Sequence, residues 1–159
     1  MIDLPDRISV ELTAPSPDVD LEGILVFVGF RVRGDYYFGS LLGLTDKRGC
    51  VTRRRAEIAE DFALEQREFP MDYKVPLTEC DPALEVEVLG GHDFATQREQ
   101  GRDLDFIPAA IQEFWNRARN GQFRSVRRAV QLDETTPRDL RISVRVEPLP
   151  RRWGSRPAG

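Results

Sequence analysis

Apolar and polar residues alternate without a break over Arg7-Ile8-Ser9-Val10-Glu11-Leu12-Thr13. Ile8, Val10 and Leu12 fall on one side, as a strand with one wet face requires. Pro15 and Pro17 end it, because proline cannot donate to a ladder. Residues 24–33 are β-branched and aromatic in an almost unbroken apolar run, the mark of a central strand. Gly34-Asp35 supplies turn chemistry before 36–44, so these two stretches predict a hairpin. Gly39 and Gly43 in its second arm suggest a bulge or a close backbone approach. A polar turn, Thr45-Asp46-Lys47-Arg48-Gly49, precedes a short strand around Cys50-Val51-Thr52.

The period then changes. Ile58, Phe62 and Phe69 recur at helical spacing with Ala59 and Ala63 beside them, which predicts a helix over 55–68. Thr52 is its candidate N-cap and Pro70 follows its end. Strand patterns return at 73–77 and at 84–89, where Leu84, Val86 and Val88 alternate with Glu85 and Glu87 before Gly90-Gly91 closes the run. Ile107, Ala110, Ile111, Phe114, Trp115 and Ala118 form an apolar stripe wide enough to face a core, predicting a helix near 106–120. Asp103 and Asp105 suit its N-terminal end and Arg117 and Arg119 its C-terminal end. Asn120-Gly121 offers the left-handed residue that commonly terminates helices. Residues 123–132 fit a short helix or a strand. Leu140, Ile142, Val144 and Val146 alternate with polar neighbours as a last strand, which Pro148 and Pro150 stop.

About seven short strands with two inserted helices predict a mainly β, α+β chain: an antiparallel β-sandwich whose alternating strands need a second layer over their apolar faces. The stripe at 107–118 must cover an open sheet face, a sandwich edge or another subunit. At 159 residues one domain is expected, over 1–150, with a flexible basic tail at 151–159. No apolar run approaches a membrane span, and the acidic start of the chain has neither part of a secretory signal. A cytoplasmic setting is therefore expected, with Cys50 and Cys80 as reduced thiols.

Charge changes the picture in one respect. The formal net charge is −4, yet residues 1–100 carry 11 basic and 20 acidic groups while residues 101–159 carry 12 and 7. All but Lys47 and Lys74 of the basic residues are arginine, whose planar fork pairs with carboxylate or phosphate. The same excess also follows from a GC-rich genome and from attraction between two parts of one molecule. Arg117, Arg119, Arg124, Arg127 and Arg128 surround Phe123 with no acidic residue until Asp133. Arginine interleaved with aromatics suits single-stranded nucleic acid, but a pI near 5.2 is far from the basic values typical of such domains.

Catalytic chemistry finds little to use. His92 is the one imidazole, so any nucleophile–histidine arrangement must pass through Gly90-Gly91-His92-Asp93, which also reads as an ordinary turn. Neither phosphate-cradling glycine signature occurs. Cys50, Cys80 and His92 lack the spacing of a zinc site, and no metal or cofactor is expected.

From about Glu22 to Leu89 the chain resembles the transthyretin-like sandwich, including the regulatory domains of carboxypeptidases. The resemblance rests on the long apolar strand at 24–32, a hairpin partner ending in Leu44-Thr45-Asp46, Gly49 opening the next strand, and Tyr73-Lys74-Val75 as counterpart of a later tyrosine-bearing strand. The helix at 55–68 departs from the shorter linker of the carboxypeptidase domains. One branch of that superfamily hydrolyses a purine-derived ring with several histidines and a C-terminal tyrosine-arginine-glycine-serine. This chain has one histidine and only Trp153-Gly154-Ser155 near its end. The resemblance therefore implies a non-catalytic scaffold that binds a partner protein. The expected contact residues are Arg117, Arg119, Phe123, Arg124, Arg127, Arg128 and Trp153. A nucleic-acid or other polyanion-binding module is the alternative, and a hydrolase using His92 a third.

Overall fold

The computed structural model describes residues 4–32, 36–60, 80–102 and 109–150. Seven strands run through these residues: β1 (Arg7–Thr13), β2 (Leu25–Val32), β3 (Tyr36–Leu44), β4 (Cys50–Arg54), β5 (Ala83–Val88), β6 (Val126–Gln131) and β7 (Asp139–Arg145). They form two open sheets, one ordered β4-β1-β7 and the other β3-β2-β5-β6. The chain is mainly β, as the alternation predicts.

One buried apolar cluster draws on both sheets. Ile8, Val10 and Leu12 of β1 and Leu140, Ile142 and Val144 of β7 meet Val26, Val28 and Phe30 of β2 and Leu84, Val86 and Val88 of β5. These are the alternate residues that the pattern assigns inward, and period two places them together on the pleat. β2 is central, between β3 and β5, and is covered on both faces. Its other face carries Leu25 and Phe27 into a second cluster with Phe94, Ala118, Phe114 and Trp115. That is why residues 24–30 are apolar almost throughout.

The second cluster is roofed by two helices, α1 (Gly91–Arg102) and α2 (Ala109–Arg117). Trp115 of α2 lies between Phe27 of β2, at 5.3 Å between ring centroids, and Phe94 of α1, stacked at 5.2 Å. Phe114, Trp115 and Ala118 of the stripe thus find the outer face of the four-stranded sheet. Ladder register supports this: β2 and β3 pair with a shift between Val26 and Phe27, where Leu42 is the extra residue. The bulge sends Leu42 into the first cluster while Leu41 and Leu44 pack on the second. Gly43, at φ 135°, makes it possible, whereas Gly39 sits in regular pairing opposite Gly29.

Four expectations are corrected. The sheets are not wholly antiparallel, since β1 and β7 run parallel; as the first and last strands they share no tight turn that would force opposite directions. Helix α1 replaces the turn read at Gly90-Gly91, and Gly91, at φ 53°, leads into it. Thr52 is not an N-cap: it lies within β4, its hydroxyl 2.8 Å from that of Ser9. Gly121 has no positive φ, and a 3-10 turn over Asn120–Gln122 follows α2 instead of a left-handed cap. The stretch at 123–132 resolves as β6. Residues 55–60 are helical. The remainder of the 55–68 helix, the strand at 73–77 with its tyrosine, the start of the 106–120 helix and the tail at 151–159 lie outside the described residues.

The turn at 45–49 has a local physical basis. Asp46 Oδ1 accepts from the amides of Arg48 at 2.8 Å and Cys50 at 3.0 Å, and Gly49 turns back at φ 77°. Thr45 is buried, with its hydroxyl accepting from the Ile24 amide at 2.9 Å and donating to the Leu21 carbonyl. Thr45 therefore ties the turn to the start of β2.

Candidate partner-binding surface

β6 and β7 are consecutive strands joined through residues 132–138, and each is the outer strand of a different sheet. They form a hairpin whose arms splay between the sheets. Beyond the strand ends the arms meet again: Phe123 bridges Pro148, Arg124 N–H donates to the Glu147 carbonyl at 2.9 Å, and Leu149 N–H to that of Gln122 at 2.8 Å. This hairpin carries Arg124, Arg127, Arg128, Arg141 and Arg145, all exposed. Its parity decides their directions. On β6, Arg127 stands opposite Glu87 of β5 and Arg128 opposite Val86.

The arginines differ in what they touch. Arg127 pairs with Glu87, Nη2 to Oε2 at 3.2 Å, and Arg145 Nε lies 3.6 Å from Glu147 Oε1. Arg128 crosses the gap and donates through Nη1 to the carbonyl of Ser143 on β7. Among the described residues no hydrogen bond or ion pair engages the side chains of Arg117, Arg124 or Arg141. Two acids, one in the β6–β7 loop and one paired with it, have partners of their own. Asp133 accepts from the Thr135 hydroxyl and amide in its own loop, and those bonds hold its carboxyl below the usual range. Asp6 accepts from Arg138 Nη2 at 2.7 Å, and that bond likewise lowers its pKa.

Two expected contact residues have structural roles. Phe123 is 2% exposed within the main core cluster, which removes it from any contact surface; it is an aromatic anchor at the rejoining point of the hairpin. Arg119 is half-buried and structural: its Nη1 donates to the Glu22 carbonyl at 2.9 Å and lies 2.9 Å from Asp20 Oδ2. Arg117 is exposed at the last turn of α2. Trp153 lies outside the described residues. Sequence reasoning missed Arg141 and Arg145, although their place between Leu140, Ile142, Val144 and Val146 already assigned them to a wet face.

The surroundings of His92 are those of a helix start. His92 is exposed, its Nε2 3.4 Å from Thr96 Oγ1 one turn along α1. Ser125 Oγ instead accepts from the Gly90 amide at 2.9 Å and lies 3.4 Å from Asp93 Oδ2. Thus the hydroxyl and the carboxylate meet, and the imidazole is engaged elsewhere. Neither Cys50 nor Cys80 is in a disulfide. Burial, and then the neighbouring Asp46 carboxylate, push the Cys50 pKa up, away from a reactive thiolate. Among the described residues no group of three His, Cys, Asp or Glu side chains could hold a metal ion, and no helix is long and apolar enough to cross a membrane.

No protein-family model matches the chain, and no curated protein matches it either.

Proposed function

We propose that this chain is a non-catalytic accessory or adaptor domain, a β-sandwich resembling the transthyretin-like kind, that binds an acidic face of a partner protein through the splayed β6–β7 hairpin. The observation that carries this reading is the set of exposed arginines on that hairpin, with Arg124 and Arg141 lacking a carboxylate partner among the described residues. A guanidinium held on a strand recognises carboxylates by a bidentate fork at little entropic cost. Arg117 extends the surface from the end of α2. Residues 1–150 act as one unit, and cysteines outside any disulfide at positions 50 and 80 suit a cytoplasmic setting.

Charge reversal tests the reading. Tagged wild-type chain and the double variant Arg124→Glu, Arg141→Glu are expressed in the native host and cross-linked. A companion recovered with the wild type and lost with the variant is the expected result. No companion at moderate salt, or one retained by the variant, contradicts it. Retention of single-stranded RNA or DNA that falls steeply with salt would instead favour the polyanion reading.

A further inference from the structure

The sequence holds two asparagines, Asn116 before Arg117 and Asn120 before Gly121. An asparagine followed by glycine is chemically labile, because glycine has no side chain to shield its amide nitrogen from the neighbouring side-chain amide. The Gly121 nitrogen can attack Cγ of Asn120: an N–Cγ bond forms, the Cγ–Nδ2 bond breaks, and the amide proton of Gly121 leaves with Nδ2 as ammonia. Water then opens the cyclic imide. Cleavage at Cγ gives aspartate; cleavage at the main-chain carbonyl gives isoaspartate, whose backbone runs through Cγ.

The fold opposes the first step. Asn120 is fully buried, and both ends of its amide are engaged. Oδ1 accepts from the Leu25 N–H at 2.7 Å, and Nδ2 donates to the Leu25 carbonyl at 2.9 Å and the Leu89 carbonyl at 2.8 Å. Cγ cannot become tetrahedral and expel Nδ2 while these bonds hold the planar amide. The same contacts make the product costly. In ionised aspartate an oxygen replaces Nδ2, so an acceptor faces two carbonyl acceptors and a charge enters the interior. Isoaspartate lengthens the backbone within the 3-10 turn, where Phe123 N–H donates to the Asn120 carbonyl at 3.0 Å. That change would displace the buried Phe123 ring from the main core cluster.

We infer that Asn120 is a spontaneous deamidation site that the native fold keeps closed, and that its conversion bars an unfolded chain from returning to the native state. The full chain is held with a reducing agent at mildly alkaline pH, in native buffer or in guanidinium chloride, and then diluted into native buffer. Mass spectrometry follows the tryptic peptide 120–124, and circular dichroism follows the native fraction. Conversion of Asn120 is expected to be at least about tenfold faster in denaturant, since in native buffer it waits on rare opening. The fraction that refolds is expected to fall in step with the fraction converted. Asn120→Asp is expected to stay unfolded or to unfold at a lower denaturant midpoint. Gly121→Ala separates this chemistry from other damage: its position is exposed, has no positive φ, and a Cβ there meets nothing within 4 Å. In denaturant it should deamidate several-fold more slowly and keep its refolding yield over the same time. Equal conversion of wild type in buffer and denaturant would overturn the inference, as would native refolding of converted chain or a wild-type midpoint for Asn120→Asp. Loss of refolding in Gly121→Ala at the wild-type rate would overturn it equally.

Discussion

At the residue scale, two side chains show how much one polar group can organise. Asn120 is fully buried, yet every polar atom of its amide is satisfied. Oδ1 accepts from the Leu25 amide at 2.7 Å, and Nδ2 donates to the carbonyls of Leu25 at 2.9 Å and Leu89 at 2.8 Å. It thereby extends the ladder at the start of β2 and pins the end of α2 beside the end of β5. Asn120→Ala would strand three buried backbone groups, so a loss of about 3 kcal/mol or more is expected in urea unfolding. This role was not legible in the sequence, where Asn-Gly after an amphipathic stripe reads as a helix terminator; only the distant partners Leu25 and Leu89 reveal it. Asp6 gives a pH prediction. The Arg138 hydrogen bond, aided by the charges of Arg138 and Arg55, lowers its folded-state pKa. Its contribution is therefore present above the ordinary aspartate range near ~3.9 and lost as pH falls through the lower folded value. Wild type should accordingly lose more stability than Asp6→Asn between neutral and acid pH, measured by denaturant midpoints; equal losses would exclude the pairing.

At the scale of elements, alternation made most strands legible and helical periodicity found α2. What failed has a common cause: the interactions that decide those elements are not local. Helix α1 offers the pattern little beyond Phe94, which is buried against Trp115, with Arg98 over its other surroundings at 5.7 Å from the ring centroid. A helix anchored by one aromatic leaves no stripe to read. The close approach behind it is equally silent in sequence: a Cβ built at Gly90 would land on the Phe123 carbonyl, far inside contact distance. Trp115 is the shared contact of α1, α2 and β2. Trp115→Ala should cost about 3 kcal/mol in equilibrium unfolding, at the lower end for large aromatic truncations because the ring is only half-buried. It should also raise amide exchange in α1 more than in β1 or β7. Uniform exchange would mean that the helical layer is not held through this ring.

For the whole molecule, the arrangement separates support from contact. Two sheets share one apolar cluster, the helices cover the outer face of the four-stranded sheet, and the arginines gather on a hairpin spanning both sheets. The candidate site was half legible: Arg124, Arg127 and Arg128 were visible as a charge run, while Arg141 and Arg145 were added only by the pairing of β6 and β7 as one hairpin. Phe123 misled because an aromatic among arginines has the same pattern whether it stacks on a ligand or fills a core. Arginine-directed dicarbonyl footprinting of the tagged chain tests the account most directly, comparing the purified protein with the protein in extract of its native host. The account predicts protection of Arg124 and Arg141 in extract with Arg48 reacting equally in both. Equal modification of Arg124 and Arg141 in the two settings, or protection confined to Arg48, would contradict it.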